Sequence, residues 1–247
     1  ASMSSSRSAR MPITAPSCRI VVGSARAAAI VMSRALKVSS QPDGPTASAS
    51  FWAYAAVSAS QIGRAAATGA IAATSMVKGA TRDEVWKSIL AYYSDFAGRP
   101  LSVNQEVFKS EADTNQRNQA IGYLMYAYGY IKANPMQATD VYTEQCSVSV
   151  SAKDLAMMAG TLANAGKNPV TGKQVMKSEY VPKVLAVMAT AGLYDDSGKW
   201  FFRTGLPGKS GVGGGLIAVS PGRFGIAVVS PPLDEAGNSV RAQKAIA

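Results

Sequence analysis

The sequence predicts an α+β fold, with a helical lobe followed by an antiparallel sheet. Helix patterns fill the chain between positions 81 and 192, and β-rich runs follow between positions 200 and 230. Elements separated in this way favour α+β architecture over alternating βαβ units. The 247 residues are 47% hydrophobic and 16% charged, a composition typical of a globular enzyme.

The first two helices are predicted from the spacing of their apolar residues. Thr81 and Glu84 have the spacing of a capping box, and an apolar stripe follows as far as Phe96. A second helix is predicted over positions 115–132. Its apolar stripe consists of Ile121, Leu124, Met125 and Tyr128.

The third and fourth helices carry signals at their ends. Ser151 and Asp154 begin the third with the spacing of a capping box, and Gly166 ends it. The fourth, in "VPKVLAVMATAG", ends at Gly192.

Three β-rich runs predict the sheet: "WFFRTGL", "GLIAV" and "FGIAVVS". The last two flank Pro221 and Gly222, which are typical turn residues, so they are predicted to form a hairpin.

The first 69 residues differ in composition from the rest. They contain 17 alanines, 14 serines and seven basic residues, with Asp43 as the one acid. Only short pieces such as "RIVV" and "FWAYAAV" show any apolar run. This composition is typical of a poorly ordered leader or an organellar transit peptide. The sequence therefore predicts two parts, residues 1–68 and residues 69–247.

The formal net charge of +10 would ordinarily indicate nucleic-acid binding. Most of the excess lies in the first segment, because residues 70–247 hold 18 basic and 14 acidic residues. No basic-aromatic pattern resembles a nucleic-acid motif, so we expect no nucleic-acid partner. We expect no membrane partner either, since the apolar stretch at positions 20–32 is short and contains Arg26.

The sequence contains no histidine, which excludes Ser-His-Asp and Cys-His mechanisms and histidine-ligated metal sites. Cys18 and Cys146 are the only cysteines, so we expect no disulfide framework, no thiolate metal cluster and a cytoplasmic location. A hydrolytic base must then be a lysine, a tyrosine or a carboxylate. Because lysine and tyrosine ordinarily titrate at about 10, such a base needs a buried or cation-flanked pocket.

The stretch "GLPGKSGVGGG" resembles the tail of a phosphate-binding loop. A phosphate loop requires a glycine at position 203, where Arg203 stands, and a helix after the motif, where strand residues follow. The alternative is a Lys-Ser-Gly motif on an inner strand, analogous to the Lys-Thr-Gly of serine β-lactamases and penicillin-binding proteins. There the lysine supplies positive charge beside the active serine. A tight loop between two strands would give the same pattern, so the motif alone leaves both open.

The flanking residues resemble the serine-dependent glutaminase family. "AGLYDDSGKWFFRTGLPGKSGVGGGLIAVSPGRFGIAVVSPPLDEAGNSV" is similar to the C-terminal half of that family. Three earlier blocks are similar in the same order: "GAIAATSMVKG", "FKSEADTNQRNQAIGYLM" and "VYTEQCSVSVSAKDLAMMAGTLANAGKNPVTG". The resemblance covers positions 69–247 and implies a β-lactamase-like, penicillin-binding-protein-like fold. It also implies hydrolysis of L-glutamine to L-glutamate and ammonia through a glutamyl-serine ester, no metal or organic cofactor, and a homodimer or homotetramer.

The resemblance further implies a substrate pocket. Glu111 and Asn118 match the substrate-contacting Glu and Asn of the family, where a carboxylate suits the α-ammonium group and an amide suits the glutamine headgroup. Seven residues apart on one helical segment, they would lie two turns apart on one face. Without the resemblance, a solvated helix face explains them equally well.

Four further residues are implied in the same way. Tyr142 matches the tyrosine beside the nucleophile, where a phenol near cations could shuttle the serine proton. Tyr194 matches a second substrate-contacting tyrosine, and Val212 matches the residue whose backbone N–H serves the oxyanion. Lys209 stands where the Lys-Thr-Gly lysine would be. From residue type alone, core packing would explain both tyrosines.

The N-terminal part departs from the family. The Ser-x-x-Lys motif that holds the nucleophile is expected near residue 17, but Ile20 follows Ser17 at the lysine position. Ala67 replaces the substrate-binding asparagine of the family's "NAGAI" block. Ser75 and Lys78 have the motif spacing, but they follow that block and are expected to be an ordinary pair on a helix. The sequence therefore identifies no nucleophilic serine.

Residues 1–68 are expected to replace the family's N-terminal part, because an added leader would precede the catalytic serine and would not remove it. Our hypothesis is that the segment is translated out of frame. Residues 11–14, Met-Pro-Ile-Thr, can be written ATG-CCG-ATA-ACG. With a preceding G, the same bases encode Asp-Ala-Asp-Asn, and the family commonly has Gly-Asp-x-Asp shortly before its serine motif. A catalytically inactive homologue that binds glutamine or a protein partner is the main alternative, and a penicillin-recognising hydrolase is a second.

Overall fold

The computed structural model describes residues 19–24 and 61–247, with side chains from Ala67 onward. These residues form an α+β arrangement of helices and one antiparallel sheet, as predicted. The helices are α1 (Gln61–Ser75), α2 (Arg82–Ala97), α3 (Gln105–Asp113), α4 (Gln116–Ala127), α5 (Pro135–Cys146), α6 (Ala152–Ala163), α7 (Val181–Ala191), α8 (Ser197–Thr204) and α9 (Val240–Ile246). The strands are β1 (Arg19–Ser24), β2 (Gly208–Ser210), β3 (Gly215–Ser220) and β4 (Phe224–Val229).

The sheet has the strand order β1-β4-β3-β2, with every neighbouring pair antiparallel. The predicted hairpin is confirmed, since β3 and β4 pair as far as Ser220 opposite Phe224. The hairpin turn docks on α6, because the Gly222 N–H donates to the Ala163 carbonyl at 2.8 Å. The Lys-Ser-Gly motif lies on β2, which is an edge strand of the described sheet and not the inner strand that was expected.

Both faces of the sheet are buried. Ile217, Val219 and Ala227 point to one face and pack in a core with α2, α6 and α7. Leu216, Ala218 and Val228 alternate with them and pack on the other face with residues of α8 and α9. A Cβ atom at Gly225 would lie 2.3 Å from the backbone of Ala159, so β4 rests directly on the backbone of α6.

The helical lobe has its own apolar core between α1, α4 and α5. Ala67 and Ile71 of α1 meet Met125 of α4 and two α5 residues, Tyr142 and Cys146. Tyr142 is only 1% exposed in this cluster. One tyrosine implied in catalysis is therefore also part of the lobe's core.

The caps of α2 and α6 form where the sequence predicts them. Thr81 accepts a hydrogen bond from the Glu84 N–H at 3.2 Å, while the Glu84 carboxylate accepts from the Ala80 N–H at 2.7 Å. Ser151 and Asp154 form both halves of a capping box. Helix α6, which corresponds to the third predicted helix, ends at Ala163, three residues before the predicted end at Gly166.

The predicted helix over positions 115–132 is too long. The observed helix, α4, ends at Ala127. Gly129 then takes a left-handed φ of 74° and turns the chain. Two members of the predicted core stripe, Leu124 and Tyr128, are 57% and 72% exposed. Half of the predicted apolar stripe therefore faces solvent.

The predicted strand "WFFRTGL" is wrong, because Trp200 to Thr204 belong to helix α8. Trp200 is buried and its indole N–H donates to the Leu206 carbonyl at 2.8 Å, whereas Phe202 is 92% exposed. The aromatic run therefore places one ring in the core and leaves another in solvent. Gly205, with a φ of 63°, caps the helix.

Within the described residues, no helix has both the length and the apolar character needed to cross a membrane.

Candidate active site

Five of the six sequence-implied residues lie near one another, where the helical lobe meets the β2 edge of the sheet. The chain leaving α7 runs against β2, where the Ser210 N–H donates to the Gly192 carbonyl at 3.0 Å. A Cβ atom at Gly192 would lie 1.7 Å from the Gly208 carbonyl oxygen, so only glycine allows this approach. This contact places Tyr194, two residues after Gly192, beside Lys209.

Tyr194 is held in an unusual backbone conformation. Its φ of 54° lies in the left-handed region, which costs a non-glycine residue about 1–2 kcal/mol. The Ser197 hydroxyl fixes the turn by accepting from the Leu193 N–H at 2.9 Å and donating to the Tyr194 carbonyl at 2.7 Å. The centroid of the Tyr194 ring lies 5.1 Å from Lys209 Nζ, within cation–π range.

A second clamp on this turn comes from Asn238, which sequence reasoning missed. Its side-chain amide donates to the Leu193 carbonyl at 3.2 Å and its amide oxygen accepts from the Ser210 hydroxyl at 2.5 Å. Asn238 and Ser210 are fully buried. The sequence signal was only a Gly-Asn turn pair, because the contact joins residues 28 positions apart.

The Val212 backbone N–H is available to a ligand. The turn from β2 to β3 closes through Gly211 N–H to Gly215 O and Gly214 N–H to Gly211 O, each 2.9 Å. The N–H of Val212, between them, donates to no described residue. A Cβ atom added to Gly237 would lie 3.5 Å from the Val212 side chain and 3.6 Å from the Tyr194 ring. These two side chains therefore both lie beside Gly237.

Tyr142 lies on α5 and faces two other implied residues. Burial raises the pKa of its phenol, and nearby Cys146, Tyr194 and Glu111 raise it further. None of these neighbours is a cation. Among the described residues, Tyr142 therefore lacks the cationic neighbours that were expected beside its phenol. Tyr142 therefore keeps its proton at neutral pH and is suited to donate or relay a proton.

The fold alters the ionisation of Lys209. Its side chain is partly exposed but densely surrounded, and its ammonium group donates to the Ser210 carbonyl. Burial lowers the pKa of Lys209 to about 8. The amine is mostly charged at pH 7 and becomes neutral as the pH rises above 8. This meets the condition, set by the lack of histidine, for a lysine that titrates near neutrality.

Tyr194 contributes a buried hydroxyl to the same site. Burial raises the pKa of Tyr194 to about 12, with the nearby Ser210 side chain opposing the shift. Among the described residues, the Tyr194 hydroxyl forms no hydrogen bond of normal geometry. A buried hydroxyl without a partner is costly unless a ligand supplies one.

Glu111 and Asn118 do not lie on one helix, contrary to the prediction. Glu111 is in the last turn of α3, and Asn118 is in α4, after a break at residues 114 and 115. Asn118 is buried on the side of α4 that packs on α5, and its side chain makes no hydrogen bond to a described side chain. Glu111 acts on the pKa of Tyr142, so it still lies near the site.

One position that departs from the family, Ala67, lies near the site. Ala67 is fully buried in the cluster that contains Tyr142. Ser75 is the last residue of α1, and its hydroxyl donates to the Ala72 carbonyl at 2.7 Å. Lys78 lies beyond the helix end and is exposed, so the two are not the expected pair on a helix. Ser17 lies outside the described residues.

The described residues contain no group of three cysteine, aspartate or glutamate side chains placed to hold a metal ion. The polar groups that converge here are instead a carboxylate, two phenols, an amine and a backbone N–H. Such a set suits a small zwitterionic ligand with an amide or carboxyl group.

Comparison with known proteins identifies the family. The family model described as Glutaminase matches residues 61–247. The chain belongs to the glutaminase family. A glutaminase of Mycobacterium ulcerans (strain Agy99) is 52% identical over 179 residues, which cover 72% of this chain and 56% of the relative. A glutaminase of Bordetella avium (strain 197N) is 54% identical over 179 residues, covering 72% of this chain and 57% of the relative. The chain thus spans little more than half the length of these glutaminases.

Solved glutaminase structures share the fold. A structure described as the probable glutaminase ybaS superposes with a TM-score of 0.79 and 34% identity, covering 93% of this chain and 83% of the other. The Bacillus subtilis glutaminase YbgJ, in a covalent complex with 5-oxo-L-norleucine, superposes with a TM-score of 0.70 and 30% identity, covering 73% of this chain and 64% of the other. The β-lactamase-like fold implied by the sequence is confirmed.

Proposed function

We propose that this chain hydrolyses L-glutamine to L-glutamate and ammonia. The observation that carries the proposal is the convergence of Glu111, Tyr142 and Tyr194 beside Lys209, next to a Val212 N–H that has no described acceptor. The relatives named glutaminase support it, as does the YbgJ complex, formed by reaction with 6-diazo-5-oxo-L-norleucine.

Each group has a role that follows from its chemistry. Glu111 balances the charge of the substrate α-ammonium group, and Asn118 binds the polar headgroup. A serine oxygen attacks the side-chain amide carbon, and the Val212 N–H stabilises the negative oxygen that develops. The positive charge of Lys209 favours the same species. The carbon–nitrogen bond then breaks, and Tyr142, as a neutral phenol, relays the proton from the attacking serine hydroxyl to the departing nitrogen, which leaves as ammonia.

Water completes the reaction by attacking the glutamyl-serine ester, which releases L-glutamate and regenerates the serine. No described serine is assigned as the nucleophile. A catalytically inactive homologue that binds L-glutamine is the second candidate, and it is favoured by Ile20 at the position expected for the lysine of Ser-x-x-Lys.

A coupled ammonia-release assay and isothermal titration with L-glutamine, both on the full chain, separate these functions. Turnover that Tyr142→Phe lowers at least about tenfold supports the hydrolase. Binding without turnover, lost in Glu111→Gln, supports the inactive homologue. Neither binding nor turnover would contradict both.

We also propose that residues 1–68 replace the family's N-terminal part, that residues 69–247 form the glutaminase-like domain, and that the protein acts as a homodimer or homotetramer in the cytoplasm. The composition of the first segment supports the division of the chain, the cysteine usage supports the cytoplasmic location, and the family resemblance supports the oligomeric state. The backbone pairing of β1 with β4 requires that residues 19–24 still contribute a strand. Sequencing the coding DNA tests the out-of-frame origin, which is wrong if neither other frame encodes Ser-x-x-Lys upstream of Gly69.

A further inference from the structure

Asn115 stands at the N-cap position of helix α4 but does not cap it. Asparagine is among the preferred N-cap residues, because its side-chain oxygen accepts hydrogen bonds from the first free N–H groups of a helix. Asn104 and Asn134 do this at the starts of α3 and α5, where each accepts from two backbone N–H groups. The Asn115 side chain accepts from none at the start of α4. Its polar groups are therefore used elsewhere.

The Asn115 side chain instead crosses to helix α5. Its Nδ2 donates to Thr143 Oγ1 at 3.0 Å, and its Oδ1 accepts from Gln119 Nε2 at 2.6 Å. The Thr143 hydroxyl also donates to the Thr139 carbonyl at 2.9 Å, so it acts as both donor and acceptor. Asn115 and Thr143 are both buried. A helix that gives up a cap for a buried bond to its neighbour departs from a local rule, and such departures are expected mainly at functional sites.

A second close contact joins α4 to α5 on the far side of Asn118. A Cβ atom at Gly122 would lie 2.6 Å from Thr139 Oγ1 and 3.3 Å from the Pro135 carbonyl oxygen, so any side chain at this position would push the two helices apart. Positions 115, 118 and 122 are three and four residues apart, which places them on one face of the helix. Asn118 therefore lies between two contacts that fix this face against α5.

We propose that Asn115 is a positioning residue, which sets the place of the Asn118 amide relative to Tyr142. Thr143 directly follows Tyr142 on α5, so the bond from Asn115 ties the start of α4 to the neighbour of a site residue. The Asn118 side chain makes no hydrogen bond to a described side chain, so its place depends on how α4 packs on α5. This role rests on the proposed function, in which Asn118 binds the polar headgroup of L-glutamine.

Asn115 also governs the length of ligand that fits. It lies at the break between α3 and α4, with Glu111 four positions before it and Asn118 three positions after it. In the proposed function, Glu111 and Asn118 bind opposite ends of the substrate. A bond that fixes the break therefore fixes the separation of these two groups. L-asparagine, which is shorter by one methylene group, should fit less well, and one methylene group is worth about 10–200-fold in discrimination.

The NMR signal of the Asn118 side-chain amide tests the positioning role without ligand or turnover. The full chain is labelled at asparagine, and the signal is identified by its loss in Asn118→Asp. Asn115→Ala removes the bond, and Thr143→Val removes it from the other helix, whereas Thr143→Ser keeps the hydroxyl. Asn134→Ala is the matched control, because Asn134 is an asparagine that does cap its helix. We expect the Asn118 signal to shift or broaden in Asn115→Ala and Thr143→Val, and to stay in place in Thr143→Ser and Asn134→Ala.

Isothermal titration of the same chains with L-glutamine and L-asparagine supplies the second measurement. Asn115→Ala and Thr143→Val should weaken L-glutamine binding at least about tenfold, because a displaced amide no longer meets the ligand. Their preference for L-glutamine over L-asparagine should fall at least about threefold. Thr143→Ser and Asn134→Ala should keep the affinity and the preference of the parent chain.

The two measurements separate the positioning role from the proposed function. An Asn118 signal that is unchanged in both Asn115→Ala and Thr143→Val overturns the positioning role, whatever the chain binds. Equal effects of Asn134→Ala and Asn115→Ala on signal or affinity also overturn it, as does a Thr143→Ser chain that behaves like Thr143→Val. A displaced Asn118 signal in a chain whose parent binds no L-glutamine supports the positioning role and contradicts only the proposed function.

Discussion

Replacing Asn238 with alanine removes the clamp that joins the Tyr194 turn to the Lys209 strand. One buried group, the Ser210 hydroxyl, loses its partner, whereas the Leu193 carbonyl loses one of two and still accepts from the Asp196 N–H at 3.1 Å. An unsatisfied buried group costs about 1–3 kcal/mol, so the free energy of unfolding should fall by about that amount. The clamp also offsets the left-handed strain at Tyr194, so the ring should lose its fixed position beside Lys209.

Asn168→Ala is the matched control for general destabilisation. Asn168 is also fully buried, and its side chain bonds the Asp95 and Phe96 carbonyls at 3.0 and 3.1 Å, far along the chain from the site residues. Both variants should lower the urea midpoint of unfolding. Only Asn238→Ala should weaken L-glutamine binding, by at least about tenfold, at a temperature where both variants are folded. Equal effects of the two variants on binding, or a stability loss below about 0.5 kcal/mol for Asn238→Ala, would refute the reasoning.

Three further predictions follow from the same structure. If the charged form of Lys209 is active, turnover and L-glutamate affinity should fall as the pH rises through about 8. The Lys209→Met variant should lack this inflection. Activity that rises through the same pH range would show that the neutral amine acts. Gly192→Ala should lower the thermal midpoint and impair binding because its Cβ would lie 1.7 Å from a β2 carbonyl, while Gly198→Ala, with no atom within 4 Å, should be neutral or stabilising. Burial would raise the pKa of Asp154, but hydrogen bonds from Arg99 and Ser151 hold it below its usual range. That stabilisation is present above the unfolded pKa of about 3.9 and is lost as the pH falls through the lower folded value, so the urea-measured cost of Asp154→Asn should be about 1–3 kcal/mol at neutral pH and should vanish in strong acid.

Local signals predicted the elements whose ends are capped by their own residues. The capping box at Ser151 and Asp154 and the hairpin turn at Gly222 depend on neighbours in sequence, so the pattern determined them. The run "WFFRTGL" failed because aromatic residues favour strands on average, whereas Trp200 finds its partner in the Leu206 carbonyl at the end of a helix. Helix α4 was predicted too long because apolar spacing continues past Gly129, where the backbone turns.

The candidate site divides in the same way. Lys209 could be predicted because the Lys-Ser-Gly motif that contains it is contiguous, and the resemblance supplied Glu111, Asn118, Tyr142, Tyr194 and Val212. Asn238 was missed because its role depends on two distant partners that only the fold brings to it. The effect of burial on the Lys209 pKa likewise depends on residues packed around β2, which no spacing rule records.

The most direct test of the central claim uses 6-diazo-5-oxo-L-norleucine, the reagent of the YbgJ complex, on the purified full chain. Intact-mass and peptide mapping should find one covalent adduct per chain, on a serine, with labelling slowed by L-glutamate and by Glu111→Gln. That serine would be the nucleophile that the Lys209 and Val212 edge serves. A chain that stays unlabelled while the reagent labels a known glutaminase in parallel would contradict a hydrolytic glutamine site in this protein.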